Sequence, residues 1–116
     1  MNFRPGFSWY YYVPRSSENP GHYSDPPLLV LASLADGPKH GHAMLHDIEE
    51  VSGTRLGPGT LCGAIARLER DGLIEPLAPD DRRQPYRLTG SGRRVLRAQL
   101  ETLHQFARAG MKKLEA

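Results

Sequence analysis

Six arginines, Arg82, Arg83, Arg87, Arg93, Arg94 and Arg97, fall within sixteen residues, and only Asp80 and Asp81 stand beside them. A guanidinium is a planar fork that matches phosphate oxygens two at a time, so such a run suits a phosphate backbone. Arg82 and Arg83 follow Pro79-Asp80-Asp81, which reads as a hairpin tip from which side chains reach a backbone or a minor groove. Arg93, Arg94 and Arg97 suit a solvated helix face equally well.

A second group lies upstream. If Leu61 is set at the centre of a buried helical face and each residue is turned by about 100°, Gly59, Gly63, Ala66 and Arg70 fall on the far side. Thr60 and Arg67 then occupy one flank and Cys62 the other. A face of small residues lets a helix backbone approach a surface. In a groove, Thr60, Arg67 and Arg70 would reach phosphates or base edges, with Arg82, Arg83 and Arg87 adding to the contact. The plainer reading is a solvated helix.

Other residues admit other chemistry. His42 and His46 stand four apart on one helix, a spacing that can chelate zinc, nickel or copper, but no further ligand stands at an obvious spacing, and no metal is expected. Cys62 sits in the first turns of a helix, where the dipole favours a thiolate, so it is either a redox switch or an inert small residue. Ser91 between glycines resembles a helix cap rather than a nucleophile. No catalytic arrangement emerges, so neither an enzyme nor a cofactor is expected.

These residues need elements to hold them. An all-round apolar helix is expected from Leu28 to Ala35, stopped by Asp36-Gly37-Pro38. A second runs from about Gly41 to Ser52, with Ala43 or Met44, then Leu45, Ile48 and Val51, as its apolar stripe and Asp47, Glu49 and Glu50 wet. A third starts at Pro58, buries Leu61, Ala64, Ile65 and Leu68, and closes at Asp71-Gly72. Leu73 to Ala78 and Gln84 to Thr89 read as a hairpin; Pro76 and Pro85 fit an edge or irregular ribbon. A last helix follows Thr89, from about Gly90 to Leu114. Its Leu96, Leu100, Leu103, Ala107, Gly110 and Leu114 are spaced four, three, four, three, four, a seam for a second copy of the chain or for its own domain.

The fold class is therefore mainly α with a small β-ribbon: a winged helix-turn-helix plus a long C-terminal dimerisation helix. It divides into an arm at 1–25, a winged domain at 26–89 and a helix at 90–116. The arm holds seven of the nine aromatics, including Trp9-Tyr10-Tyr11-Tyr12, and reads as a segment that packs on a neighbouring surface or as a disordered extension. The whole chain has 116 residues, 39% hydrophobic and 24% charged, with net charge +2 and one cysteine. That balance excludes wholesale disorder, a membrane span and an intramolecular disulfide. No signal peptide is visible, and a cytoplasmic location is expected.

Five stretches carry a resemblance. They are Leu28-Leu29-Val30-Leu31, Gly37-Pro38-Lys39-His40-Gly41-His42, Pro58-Gly59-Thr60-Leu61, Leu68-Glu69-Arg70-Asp71-Gly72-Leu73-Ile74 and Tyr86-Arg87-Leu88-Thr89-Gly90-Ser91-Gly92. In this order they resemble the PadR family of bacterial transcriptional regulators over roughly residues 27–115. The resemblance implies a dimeric repressor that binds double-stranded operator DNA and releases it on binding a small-molecule effector or another signal. The family usually has a tyrosine after Pro-Gly-Thr-Leu, where this chain has Cys62 and Gly63, and its members usually begin with a shorter arm. A dimeric ligand- or protein-interaction module of the same fold with weak DNA binding is the alternative, and a metal or redox sensor on this scaffold the third.

Overall fold

The computed structural model describes residues 24–116, so the aromatic arm, apart from its last two residues, lies outside the described residues. Helix α1 spans Pro26–Ser33. The Asp25 carboxylate caps it by accepting from the Leu28 amide at 3.3 Å, and proline in the first turn loses no hydrogen bond. Leu28, Leu29, Val30 and Leu31 are all buried, as expected of a helix apolar all round. A 3-10 turn, Leu34–Asp36, leads out of it. Lys39 Nζ ties this corner by donating to the Ser33 carbonyl and the Asp36 carboxylate. That hydrogen bond, and then the lysine charge, hold the Asp36 carboxyl below its ordinary range.

Strand β1, Lys39–His40, enters helix α2, Gly41–Ser52. Gly53 closes α2 with φ 76°, a left-handed conformation that favours glycine, and its N–H donates to the Glu49 carbonyl at 2.9 Å. Helix α3, Pro58–Arg70, follows, then β2, Ile74–Pro76, and β3, Pro85–Leu88. Helix α4, Gly90–Glu115, ends the chain. Thr89 caps α4: its Oγ1 accepts from the Gly92 amide at 3.0 Å and donates to the Gly72 carbonyl at 2.7 Å.

The core lies where α1 is wrapped by α2, α3, the sheet and the base of α4. Val30 and Met44 are fully buried, with Leu31, Leu34, Ile48 and Ile74 beside them. From α3, the expected stripe of Leu61, Ala64, Ile65 and Leu68 packs inward. Each buried leucine or isoleucine contributes about 1.5–3 kcal/mol by leaving water.

Three details differ from expectation. The ribbon is a three-stranded antiparallel sheet in the order β1-β3-β2, so β3 is central and not at an edge. Pro85 is tolerated as its first residue, where it pairs with His40 and its carbonyl accepts from the Leu77 amide at 2.9 Å. On α2, Val51 is 74% exposed because the helix outruns the core. Asp47 is half-buried instead of wet: its carboxylate accepts from Ser33 Oγ at 2.7 Å, satisfying a hydroxyl in the buried wall of α1.

Candidate nucleic-acid interface

Helix α3 presents Gly59, Thr60, Cys62, Gly63, Ala66, Arg67, Glu69 and Arg70 to solvent. A Cβ added at Gly59 or Gly63 would meet nothing within 4 Å, so this outer face is open and flat. Its two flanks differ. Cys62, Ala66 and Glu69 border a recess of about 330 Å³ shared with Gly41, Gln84 and Tyr86 at the base of the sheet. Burial first, then the Glu69 charge and Cys62, push the Tyr86 phenol above its ordinary pKa. Arg67 lies on the opposite flank, over a hollow bordered by Asp25, Pro27, Asp71, Val95 and Gln99. Arg70 Nε lies 3.9 Å from the Asp71 carboxylate at the helix end.

The hairpin tip is built by two residues. Asp80 and Arg83 exchange backbone hydrogen bonds at 2.8 and 2.9 Å. Asp81 and Arg82 between them have φ 51° and 69°. Positive φ at both central positions is the pattern of a type I′ turn, whose twist matches the flanking strands. Aspartate tolerates that region; arginine does so less readily. The turn exposes both Arg82 and Arg83, and neither forms an ion pair among the described residues. Arg83 Nη1 lies 3.3 Å from His40 Nε2.

The other arginines are engaged differently. Arg87 Nε donates to the Glu75 carboxylate at 2.6 Å, across paired strands. Arg93 donates to the Ala35 carbonyl at 3.4 and 3.5 Å, and Arg94 donates to Ser91 Oγ at 3.1 Å. Arg97 borders a groove of about 610 Å³ between Ala35 and the Leu96–Gln105 side of α4. The structure thus groups Arg82 and Arg83 at the tip, and sets Arg93, Arg94 and Arg97 along the first turns of α4.

The expected α4 seam divides into two parts. Leu96 is buried in its own core, and Leu103 packs partly against it. Leu100 is 45% exposed and Leu114 81% exposed, with Ala107 exposed between them. Phe106, at 75%, and Met111, at 58%, widen this uncovered face, and Gly110 lies within it. Neither Phe106 nor Met111 belongs to the expected seam, although Phe106 stands three residues from Leu103 and four from Gly110, a legible helical spacing.

His42 and His46 are exposed on α2, where His46 Nε2 lies 3.5 Å from Glu50. Among the described residues no group of three or more histidine, cysteine or acidic side chains is placed to hold a metal ion. Cys62 is exposed. No helix among the described residues is long and apolar enough to cross a membrane.

The arrangement has known counterparts. The model of the Transcriptional regulator PadR-like family matches residues 30–98. An uncharacterized 37.1 kDa protein in transposon TN4556 of Streptomyces fradiae is 49% identical over 80 residues, which are 69% of this chain. The chain spans only 23% of that relative's length. Transcriptional regulator Rv3488 of Mycobacterium tuberculosis is 37% identical over 84 residues, 70% of this chain and 78% of that protein. The crystal structure of a PadR family transcription regulator from Clostridium difficile R20291 superposes with a TM-score of 0.66 at 22% identity, covering 78% of this chain and 97% of the other. Helix order, three-stranded sheet, long last helix and family match agree: this chain belongs to the PadR-like family of transcriptional regulators, DNA-binding winged-helix proteins that are not enzymes.

Proposed function

We propose that the chain acts in the cytoplasm as a homodimeric repressor on a two-half-site operator, released by a small molecule or another signal. The observation that carries this reading is the far half of α4. The described residues span 55 × 26 × 25 Å, and the long dimension is set by a helix that leaves its own domain. Leu100, Phe106, Met111 and Leu114 lie uncovered on that half. A second copy of the same helix is the partner of matching chemistry, and a two-fold pair of winged domains matches half-sites about one turn of DNA apart. In this reading the open face of α3, which carries Arg70 and is flanked by Thr60 and Arg67, enters the major groove. Arg82 and Arg83 straddle the neighbouring backbone. A signal that favours a dimer geometry mismatched to the operator releases the DNA.

The test is Phe106→Glu with Leu114→Glu, two changes outside the domain core. Sedimentation should show monomer, thermal unfolding of the winged domain should persist, and affinity for DNA upstream of the protein's own gene should fall at least tenfold, because two weak half-site contacts no longer act together. A double variant that remains dimeric overturns the reading.

A further inference from the structure

We propose that His40 is the positioning residue of the wing: its imidazole holds the Arg83 guanidinium in place for a DNA phosphate without neutralising it. This rests on the reading of Arg83 as a backbone contact. Two donors converge on one ring. The Ala43 amide lies 3.4 Å from Nδ1, and Arg83 Nη1 lies 3.3 Å from Nε2. A neutral imidazole has one lone-pair nitrogen and one N–H, so it accepts from one of these donors at a time. The Ala43 amide is one of the first-turn N–H groups that a helix start leaves without an intrahelical partner, and its contact with Nδ1 is long at 3.4 Å. Arg83 has no carboxylate partner among the described residues, and Nε2 is the side-chain acceptor that it meets there.

Backbone geometry decides which partner positions the other. His40 is fixed in β1, in register with Pro85 of the central strand. Arg83 projects from the end of a two-residue turn on a flexible stem. The contact therefore orders the arginine. Using Nη1 leaves the Nε and Nη2 edge free to grip a phosphate in the forked geometry. The same corner faces α3 across the recess that Gly41, Cys62 and Gln84 line. Arg87 shows the contrast: a carboxylate holds it, so part of its attraction for phosphate is cancelled. A neutral acceptor orders a cation and leaves its charge intact.

The two ring nitrogens can be separated by substitution. His40→Asn places an amide oxygen near the Nδ1 position, where it can cap the Ala43 amide, and leaves the Nε2 position empty. His40→Gln reaches the Nε2 position and offers the Ala43 amide no cap. Binding is read as fluorescence anisotropy on a random-sequence duplex at low salt, with the thermal midpoint of each variant measured alongside. His40→Asn should keep its midpoint and lose about threefold to tenfold in affinity, the share that ordering one long side chain supplies. His40→Gln should also keep its midpoint and stay within about twofold of the parent in affinity. On an Arg83→Ala background, His40→Asn should cost nothing further. Full additivity with Arg83→Ala, or equal losses for Asn and Gln, overturns the positioning role. An Arg83→Ala variant with unchanged affinity and salt dependence overturns the backbone-contact reading itself.

Discussion

Glu75 and Arg87 are register partners across β2 and β3, and Arg87 Nε closes on Glu75 Oε2 at 2.6 Å. Both side chains are about half exposed, so the pair adds little stability. Its effect is on charge at the wing. Glu75→Gln should leave the thermal midpoint within a degree or two and tighten binding to random duplex DNA. If Arg87 then engages a phosphate, the slope of log affinity against log salt should steepen by about 0.9 for each phosphate newly engaged. An unchanged affinity across the salt series would place Arg87 away from the DNA.

Gly92 is the point where α4 passes close against the Leu73 backbone. A Cβ there would lie 1.9 Å from the Leu73 carbonyl oxygen and 3.2 Å from Leu88 Cδ2. The Leu73 oxygen is itself held by the Thr89 amide at 3.1 Å, so backbone would have to move. Gly92→Ala should destabilise by about 3 kcal/mol, the upper range for overpacking, and lower the midpoint by roughly 10 °C or more. Gly63→Ala is the control: nothing stands within 4 Å, and alanine should raise helix stability by up to about 1 kcal/mol. Urea unfolding of both variants decides. A Gly92→Ala protein as stable as the parent would contradict the packing.

Backbone attraction and base reading separate by salt and by sequence. Arg82→Ala with Arg83→Ala should weaken operator and random DNA alike, and flatten the salt slope by about 0.9 for each phosphate no longer engaged, doubled if both wings touch DNA. Thr60→Ala and Arg67→Ala should instead narrow the gap between the two DNAs, by about 1–3 kcal/mol for Arg67 if it grips a guanine. Titration of all variants on both DNAs makes the comparison. Equal weakening on both DNAs for Arg67→Ala would assign it to backbone or to its hollow beside Asp71.

Tyr86 supplies an alkaline signature. Its pKa is raised above 10.0, first by burial and then by the Glu69 charge. The folded state therefore keeps this proton more tightly than the unfolded chain. The associated stability is complete below pH 10 and is lost as pH rises through the folded pKa. Tyrosinate absorbance, compared between parent and Tyr86→Phe, should show one tyrosine titrating above the ordinary value. Glu69→Gln should lower that midpoint part of the way, because burial remains. A Tyr86 titrating at the ordinary value would mean that the recess is open to water.

Periodicity and caps make the helices legible. The Leu61, Ala64, Ile65, Leu68 stripe and the Pro58 start describe α3 closely because local spacing and burial agree there. Thr89 as the cap of α4 is legible for the same reason. β1 is not: two residues carry no alternation, and its existence depends on Tyr86 and Pro85 arriving from far along the chain. Helix geometry places Thr60 and Arg67 on one flank of α3, but the hollow that Arg67 borders is formed by α1 and α4, which spacing cannot reveal. The His40–Arg83 contact spans forty-three residues and needs the sheet to exist first. Leu96 enters the predicted seam because a heptad pattern does not record where the domain ends and the uncovered helix begins.

Helix α4 is also a lever. Its 26 residues make a rod about 39 Å long, clamped at one end through Thr89, Gly92 and the Leu73 carbonyl. A tilt of about 10° at that clamp carries the free end roughly 7 Å, more than one helical turn's rise. In the proposed dimer, a shift of a few ångströms where two such rods meet would return to each wing as a change of bearing of only a few degrees. In that dimer the clamp would act as a gear: coarse movement at the far end would become fine aiming at the groove, carried through the close Gly92–Leu73 contact.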